Sequence, residues 1–401
     1  MVSERAAAEG RIAWARRRMP VLGKALAELA QDQVFDGLTI GFRLHLEPKT
    51  AVLVEGLLAA GARVVAMGNE GTTQFGTAEA LADRGCTVLD RPGDGEDAVR
   101  GHLGRIAAAG PDLVLDNGTE LIEACIRSGR LPEGATEETT SGAFRLRERL
   151  SGAVTFPVIV INDSPLKAIV ENKHGVGESV VDAIVRATNM SLHKKRVVVF
   201  GYGWCGRGIA LYARRRGADV TAVETDPVKA LEAAMDGFDV AGADEAVRTA
   251  DVVITATGRE RVVSYELMET MRDGALLANA GHTDAEIDVL RLEREAPSQV
   301  VAPSLDAHEL PGGRTVFLLA QGRIVNLAAA GGIGNPIEAM DLGLTLQARS
   351  LAALATSGSE FRPGPQPVPR LINEQTATSM LESMRQAPAR LSPPLPGDSD
   401  G

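Results

Sequence analysis

Cysteine is scarce in this sequence, and long apolar runs are absent. The three cysteines, Cys86, Cys125 and Cys205, are widely spaced among 401 residues. Their number is odd and no pair has the spacing of a metal knuckle, so neither a disulfide framework nor a metal site is predicted. A reducing cytoplasm is the expected location. No apolar run approaches the ~20 residues of a membrane-spanning helix, and the N-terminus lacks the apolar core of a signal peptide.

Positive charge is also in deficit. The formal net charge is −11 at pH 7, which disfavours sequence-independent binding to nucleic acid or to an anionic membrane. The 44% of hydrophobic residues is ordinary for a globular protein, and the length suits two domains with substantial cores. We therefore expect a small-molecule ligand rather than nucleic acid or a membrane.

Helical and strand patterns alternate through the first half of the chain. Strands are predicted at 38–44, 63–67, 87–89, 113–115 and 154–161, and helices at 11–31, 50–60, 77–84, 96–109 and 178–190. This alternation predicts a parallel sheet with helices on both faces. Ligands of such sheets bind at the carboxyl ends of the strands, where His45, Asp116 and Asn117 lie.

A dinucleotide-binding pattern begins at the apolar strand 197–200. Gly201, Gly203 and Gly206 follow the strand and lead into a helix at 209–215. The glycines suit a tight turn, a close approach of the backbone to a pyrophosphate, and close packing of helix and strand. The alternative interpretation is a glycine-rich turn of an ordinary βαβ unit.

A second strand at 219–223 strengthens the dinucleotide interpretation. It ends at Glu224, whose carboxylate can bind a ribose diol and would repel a 2′-phosphate. We therefore predict NAD rather than NADP as the cofactor.

The second half of the chain continues the same pattern. Strands are predicted at 252–257, 275–280, 316–320 and 324–327, a helix at 336–356, and a disordered tail after Pro388. Two of these strands end in polar or glycine-rich turns, ATG at 256–258 and NAGHTD at 279–284.

Several long segments, in this order, resemble S-adenosylhomocysteine hydrolase. They are LHLEPKTAVLVEGLLAAGA (44–62), EETTSG (137–142), INDSPLKAIVENKHGVGESVVDAIVRAT (161–188), the glycine motif through ETDPVKALEAAMDGFDV (to 240), NAGHTDAEID (279–288) and GRIVNL (322–327). Together they span most of the chain. Matched polar residues inside strand-end loops make this resemblance far more specific than a glycine motif.

The resemblance implies an α/β fold with two doubly wound parallel-sheet domains, the second a Rossmann NAD-binding domain inserted into the substrate domain. We predict the first part of the substrate domain at 1–177, the NAD-binding domain at 178–335, and the end of the substrate domain at 336–387, before a disordered tail at 388–401. The resemblance also implies a homotetramer built from dimers. Because the tail lacks one contact between subunits, we expect a homo-oligomer that is either a dimer or a tetramer.

An internal redox cycle on a nucleoside is the reaction that the resemblance implies. Tightly bound NAD oxidises the ribose 3′-hydroxyl, the acidified C4′ proton is lost, the 5′ substituent leaves, water adds, and the ketone is reduced again. Such a cycle needs a base for the hydroxyl, a base for the carbon acid, an acid for the leaving group and a closed site.

Individual residues receive roles through the same resemblance. Lys167, Glu171 and Asn172 are expected around the 3′-hydroxyl and the nicotinamide. A Lys167 pKa lowered by burial would let its amine take the hydroxyl proton. Glu138 is expected to hold the ribose hydroxyls, and His45 to act as acid or base near C4′ and C5′.

His282 is expected to contact the sugar or to close the site. The expected cofactor contacts are Gly201, Gly203, Gly206, Glu224, Thr139, Thr140, Ser141, Asn172, Thr257, Gly258, Asn279, Gly281 and Asn326.

The sequence departs from the family pattern mainly where substrate is bound. Glu47 and Lys49 replace a threonine and a glutamate that face the adenine, and Asn117 replaces a catalytic aspartate. Glu171 is one methylene longer than the family's aspartate, and Val176 replaces a cysteine near the nicotinamide.

Two further departures lie towards the C-terminus. The family's GHP is GNP at 334–336 after a two-residue insertion, and the tail lacks the lysine and tyrosine that reach a neighbouring subunit's NAD.

Because the asparagine at position 117 cannot accept a proton, we interpret the chain as a diverged nucleoside dehydratase of nucleoside or antibiotic metabolism, with water as leaving group. The alternatives are a true adenosylhomocysteinase releasing homocysteine and adenosine, a plain NAD-dependent dehydrogenase and an inactive regulatory homologue.

Overall fold

Strands from two stretches of the chain form two separate sheets. The computed structural model describes residues 4–69, 72–91, 94–281 and 284–386. Its strands are β1 (Thr39–Arg43), β2 (Arg63–Met67), β3 (Thr87–Val88), β4 (Leu113–Asp116), β5 (Gly134–Glu137), β6 (Pro157–Val160), β7 (Arg196–Phe200), β8 (Asp219–Val223), β9 (Asp239–Val240), β10 (Val252–Thr255), β11 (Ala275–Asn279), β12 (Gln299–Ala302), β13 (Leu305–Glu309), β14 (Thr315–Leu319) and β15 (Gly364–Pro367).

The first sheet is parallel throughout its described strands, in the order β15-β6-β5-β4-β1-β2-β3. Its central strands are buried along their whole length, because helices cover both faces of a parallel sheet. Asp116 at the end of β4 pairs with Glu137 at the end of β5. Polar side chains therefore collect at one edge of this sheet.

The second sheet has the order β12-β13-β14-β11-β10-β7-β8-β9 in the described part of the chain. Strands β14 to β9 are parallel, whereas β12 and β13 add an antiparallel edge. The order reverses beside β7, which is the position where doubly wound sheets bind dinucleotides. The glycine motif follows β7 directly.

Helices pack on both faces of each sheet. They are α1 (Glu4–Arg18), α2 (Pro20–Gln31), α3 (Pro48–Ala59), α4 (Phe75–Asp83), α5 (Glu96–Ala109), α6 (Glu120–Ser128), α7 (Thr140–Glu148), α8 (Val176–Thr188), α9 (Trp204–Arg215), α10 (Pro227–Met235), α11 (Ala243–Ala246), α12 (Tyr265–Met268), α13 (Val289–Glu295), α14 (Val325–Ala328), α15 (Ile337–Ser357) and α16 (Arg370–Gln386). A π-helix, Lys167–Gly175, runs directly into α8. Of the helices described, none combines the length and apolar character needed to cross a bilayer.

The chain returns to the first sheet after it has completed the second. Helix α15 packs on the first sheet's core, and β15 then pairs with β6 in parallel. The fold is thus the expected one, two doubly wound α/β units with the NAD-binding unit inserted into the other. The exact domain boundaries at 177/178 and 335/336 stay predictions, and the tail at 388–401 lies outside the described residues.

Two expected elements differ in the structure. The helix predicted at 11–31 is two helices, α1 and α2, because Pro20 cannot continue a preceding helix and instead begins a new one. The strand predicted at 324–327 is wrong. Those residues form the short helix α14, and Ile324 makes only an isolated bridge to Asn279.

Core packing of α15 can be tested by truncating one leucine. Leu344 is fully buried in the first sheet's core, so Leu344→Ala should lower the free energy of unfolding by about 2–4 kcal/mol, through lost burial and a residual cavity. Urea unfolding followed by circular dichroism measures the change. Leu231 in α10 is 64% exposed, and Leu231→Ala should stay within about 0.5 kcal/mol of the parent; equal costs for the two variants would contradict the packing of α15.

Candidate active site

A buried lysine joins two carboxylates at the edge of the first sheet. Nζ of Lys167 lies 3.1 Å from Oε1 of Glu138 and 2.7 Å from Oε1 of Glu171. All three side chains are at most 7% exposed. Lys167 and Glu171 share one face because they are four residues apart in the π-helix, while Glu138 follows β5. π-Helical segments are rare and often occur at functional sites.

The two carboxylates decide the ionisation of Lys167. Burial alone would lower the pKa of its ammonium, but attraction to Glu138 and Glu171 and hydrogen bonds to both outweigh burial and raise the pKa above its ordinary value. The expectation of a lowered Lys167 pKa is therefore wrong. It considered burial without the two partners, which lie 29 residues before and four residues after the lysine.

Two asparagines extend the cluster towards β4 and β2. Asn117 donates from Nδ2 to Oε2 of Glu138 at 3.2 Å, and its Oδ1 accepts from Asn69 at 2.7 Å. Burial tends to raise the pKa of Glu138, but Lys167, Asn117 and His45 together lower it. Glu138 is thus held as a carboxylate.

His45 lies beside this cluster at the end of β1. Its Nδ1 is 2.9 Å from Oγ1 of Thr72, and its charge acts on Glu138. The contact with Thr72 fixes the orientation of the imidazole ring. The structure therefore brings His45, Asn117, Glu138, Lys167 and Glu171 together, as the resemblance implies.

Glu47 and Lys49 form a second buried ion pair close to His45. Nζ of Lys49 is 3.0 Å from Oε2 of Glu47 and donates to the carbonyl of Ile333 at 2.8 Å. Burial raises the pKa of Glu47 although Lys49 opposes that rise, and Glu138 contributes to it. Glu47 is therefore within electrostatic range of the Lys167 cluster.

The turn after β7 has the geometry of a dinucleotide site. Gly201 has a φ of +92°, which favours glycine, and a Cβ at Gly206 would overlap the carbonyl of Gly201. Gly203 caps α9 without any side-chain acceptor, and the space beside it is open. Unpaired amides at a helix N-terminus bind phosphate groups.

Glu224 ends β8 beside this turn, as predicted. Its carboxylate accepts backbone N–H bonds from Tyr202, Thr225 and Asp226 at 2.8, 2.8 and 3.0 Å. Burial opposes the change, but these three bonds lower its pKa. The carboxylate is ionised and pre-oriented at the position where a ribose diol binds in such folds.

One glutamate that the sequence reasoning missed organises the neighbouring strand ends. Glu286 accepts from the N–H and Oγ1 of Thr257 at 2.9 and 2.8 Å and from the N–H of Gly258 at 2.7 Å. A Cβ at Gly281 would overlap its carboxylate. Asn279 meanwhile accepts from the Gly281 N–H at 2.7 Å and donates to the Gly322 carbonyl at 2.9 Å.

Asn326 is a fully enclosed amide with an unused acceptor. Its Nδ2 donates to Ser179 at 2.9 Å, while its Oδ1 is buried without a partner among the described residues. A buried amide oxygen of this kind is costly unless a ligand donates to it. This orphaned acceptor suits a ligand that carries a hydrogen-bond donor.

A polar cluster centred on Asn162 joins two more of the expected cofactor residues. Oδ1 of Asn162 accepts from Asn172 and from Thr140, each at 3.2 Å. Thr139 caps α7 by accepting from Gly142 at 2.8 Å and lies 3.2 Å from Ser141. Asn162 was missed, although the INDS segment that contains it belongs to the matched stretches. His282 lies outside the described residues, so its role stays a prediction.

The residues around the dinucleotide turn and the Lys167 cluster meet at the start of α9, beside Cys205. Burial raises the pKa of Cys205 to about 12, and the charges of Lys167, Glu171 and Glu286 act on its thiol. The glycine turn, the strand ends held by Glu286 and the Lys167 cluster therefore border one region. Bound NAD fits three features of this region. They are the open space beside Gly203, the ionised carboxylate of Glu224 and the unpartnered Oδ1 of Asn326.

Sequence comparisons agree with this geometry. The family model for the S-adenosyl-L-homocysteine hydrolase NAD-binding domain matches residues 172–332, and that for S-adenosyl-L-homocysteine hydrolase matches residues 2–133. S-inosyl-L-homocysteine hydrolase of Methanopyrus kandleri is 43% identical over 383 residues, covering 93% of this chain and 89% of that protein. Adenosylhomocysteinase of Thermotoga maritima is 45% identical, covering 78% and 80%. Adenosylhomocysteinase of Thermococcus kodakarensis is 40% identical, covering 94% and 90%.

Structural comparison adds a similarity of fold alone. A dipicolinate synthase from Bacillus halodurans superposes with a TM-score of 0.50 at 14% identity, covering 80% of this chain and 99% of that one.

These relatives overturn the dehydratase interpretation. They are named as hydrolases of S-nucleosylhomocysteine at 40–45% identity over most of the chain, so a dehydratase of antibiotic metabolism is wrong, as is the hydro-lyase class. The interpretation gave the single substitution at Asn117 more weight than similarity to hydrolases over most of the chain. The chain is an NAD-dependent hydrolase of the S-adenosylhomocysteine hydrolase family.

Proposed function

We propose that this protein releases homocysteine from an S-nucleosylhomocysteine thioether, with S-adenosylhomocysteine as one substrate. The observation that carries the proposal is the buried Lys167 between Glu138 and Glu171, beside a complete dinucleotide turn. When bound, NAD supplies a hydride acceptor for the sugar carbinol and later returns the hydride. The residues of the chain hold the sugar, move its protons and shield the nicotinamide from bulk water, while one water molecule adds at C5′ in place of homocysteine.

Proton removal from the sugar hydroxyl is assigned to Lys167 in this proposal. In the ligand-free site both carboxylates stabilise its ammonium form, so only the deprotonated fraction can accept the proton. Glu138 is the acceptor for the ribose hydroxyls, since its pKa is lowered and it stays ionised. Glu171 holds Lys167 in position at 2.7 Å.

His45 is assigned the proton transfers at C4′ and C5′. Its Thr72 contact orients the ring, and its charge lowers the pKa of Glu138. A thiolate needs less protonation to leave than hydroxide, because a thiol has a pKa near ~8.5 and water one of about 15.7. Loss of an aspartate at Asn117 is therefore compatible with thioether cleavage.

The Glu47–Lys49 pair favours a second candidate substrate, S-inosylhomocysteine. By resemblance these residues face the purine. Hypoxanthine presents a 6-oxo acceptor and an N1–H donor, whereas adenine presents a 6-amino donor and an N1 acceptor. The ammonium of Lys49 matches the 6-oxo group and the carboxylate of Glu47 matches N1–H.

The remaining assignments are also proposals. Thr139, Thr140, Ser141, Asn172, Thr257, Gly258, Asn279, Gly281 and Asn326 would contact the cofactor along with the glycine turn and Glu224. Association into a dimer or tetramer and a cytoplasmic location stay predictions.

Thiol release tests the reaction directly. Protein shown to carry NAD is incubated separately with S-adenosylhomocysteine and S-inosylhomocysteine, and homocysteine is followed with a thiol reagent. We expect thiol from both, faster from the inosyl compound, because the Glu47–Lys49 pair matches its base. Lys49→Met should remove that preference. If neither compound releases thiol, the proposed function is rejected. A preference for the adenosyl compound would reject only the second candidate substrate.

The raised pKa of Lys167 predicts an alkaline rise in activity. Since kcat/KM reports the free enzyme, it should increase about tenfold per pH unit from neutrality, as the deprotonated fraction grows. Glu171→Gln removes one carboxylate that raises the Lys167 pKa, so its profile should shift to lower pH. Glu178 is exposed on α8, and Glu178→Gln should leave the profile unchanged. A flat parent profile would exclude Lys167 as the proton acceptor.

Replacement of Glu224 should change the cofactor preference. Glu224→Arg removes the acceptor for the ribose diol and supplies a cation for a 2′-phosphate. We expect NAD affinity to fall about tenfold or more and NADP binding to improve, as measured by calorimetry on apoprotein. Asp226→Asn, two residues away, serves as the control and should retain NAD preference. An unchanged preference in the Glu224 variant would contradict the assignment.

A further inference from the structure

A missing side chain on α15 makes room for the carboxylate of Glu171. Gly343 lies in the first half of α15 and is buried, and a Cβ built on it would overlap Oε2 of Glu171. This α-helical position does not require glycine for its backbone conformation. Glycine is needed because the end of the Glu171 side chain, on the facing π-helix, occupies the space that a methyl group at residue 343 would take.

The Glu171 carboxylate has little freedom to move aside. Its Oε1 is engaged with Lys167 at 2.7 Å, and its Oε2 is buried without a hydrogen-bond partner in the described part of the chain. The residue is 5% exposed. An unpartnered carboxylate oxygen beside a glycine is therefore held there by packing and by the ion pair.

The π-helix that carries Glu171 is also enclosed on its other side. Gly208 of α9 approaches the carbonyl of Lys173 so closely that a Cβ there would overlap it, and Gly177 meets the Gly208 backbone in the same way. Gly175 faces Ala339 of α15 at 3.0 Å from its own built Cβ. The π-helix therefore cannot retreat from α15 without colliding with the NAD-binding helix.

We propose that Gly343 is a positioning residue for the active site, which sets the location of the Glu171 carboxylate and through it the ammonium of Lys167. Gly343 touches neither the sugar nor the cofactor in this assignment. Its effect on homocysteine release rests on the proposed function, whereas its effect on the stability of the folded chain does not.

A double-mutant cycle with Gly343→Ala and Glu171→Asp tests this assignment. Alanine is a better helix former than glycine, so any loss in Gly343→Ala must come from the contact. We expect this variant to lower both the thermal unfolding midpoint and, by about tenfold or more, the rate of homocysteine release. The aspartate side chain of the second variant is one methylene shorter and withdraws from the new methyl group. The double variant should therefore have a higher unfolding midpoint and a faster release of homocysteine than Gly343→Ala alone. The effect of Gly343→Ala on the rate should differ by about tenfold between the parent and the Glu171→Asp backgrounds.

Gly104 provides a matched control. It is exposed in the interior of α5, with no atom within 4 Å of a built Cβ. Gly104→Ala should therefore leave the rate unchanged and should not lower the unfolding midpoint. The control separates a general effect of alanine in a helix from the contact with Glu171.

Additive effects of the two substitutions, in stability and in rate, would overturn the proposal. If Gly343→Ala fails to fold, recovery of a folded protein in the double variant supports the assignment, and failure of both overturns it. If the parent releases no homocysteine from either thioether, the proposed function fails, but coupling in the unfolding midpoints still decides the role of Gly343.

Discussion

The site depends on one electrostatic arrangement, an ammonium enclosed by two carboxylates and shielded from water. Each charge would be costly alone in such an environment, and burial raises the pKa of Glu171 although Lys167 opposes that rise. Lys167 and Glu171 come from a single π-turn, and Glu138 comes from the end of a strand in the first sheet. The cluster therefore forms only when the π-turn packs against that sheet, so folding and assembly of the site are the same event.

Close packing at glycines links the π-helix to helices of both sheets. The π-helix lies between α15, which packs on the first sheet, and α9, which begins at the dinucleotide turn. On both sides the approach is so close that added methyl groups would collide. The backbone of the π-helix at Lys173 therefore touches the helix that begins at the dinucleotide turn, without an intervening side chain.

Much of this could be predicted from the sequence. Apolar strands, helix periodicity and the glycine motif identified the parallel sheets, and matched loop segments singled out Lys167, Glu138 and His45, which lie close together in the structure. Three properties could not be obtained this way. The ionisation of Lys167 depends on distances to partners far apart in the chain, the role of Glu286 depends on loops that meet only after folding, and the strand predicted at 324–327 satisfies local apolar periodicity but finds only one bridging partner.

The pairing of β15 with β6 has a consequence for synthesis of the chain. Residues 157–160 and 364–367 are neighbours in the sheet but are separated by about half of the sequence. During translation, the edge of β6 is exposed until the whole inserted domain has emerged from the ribosome. Unpaired edges of this kind promote association between chains. The first sheet is therefore completed only after the inserted domain has been synthesised, and we expect truncation shortly before residue 364 to leave the β6 edge open to association between chains.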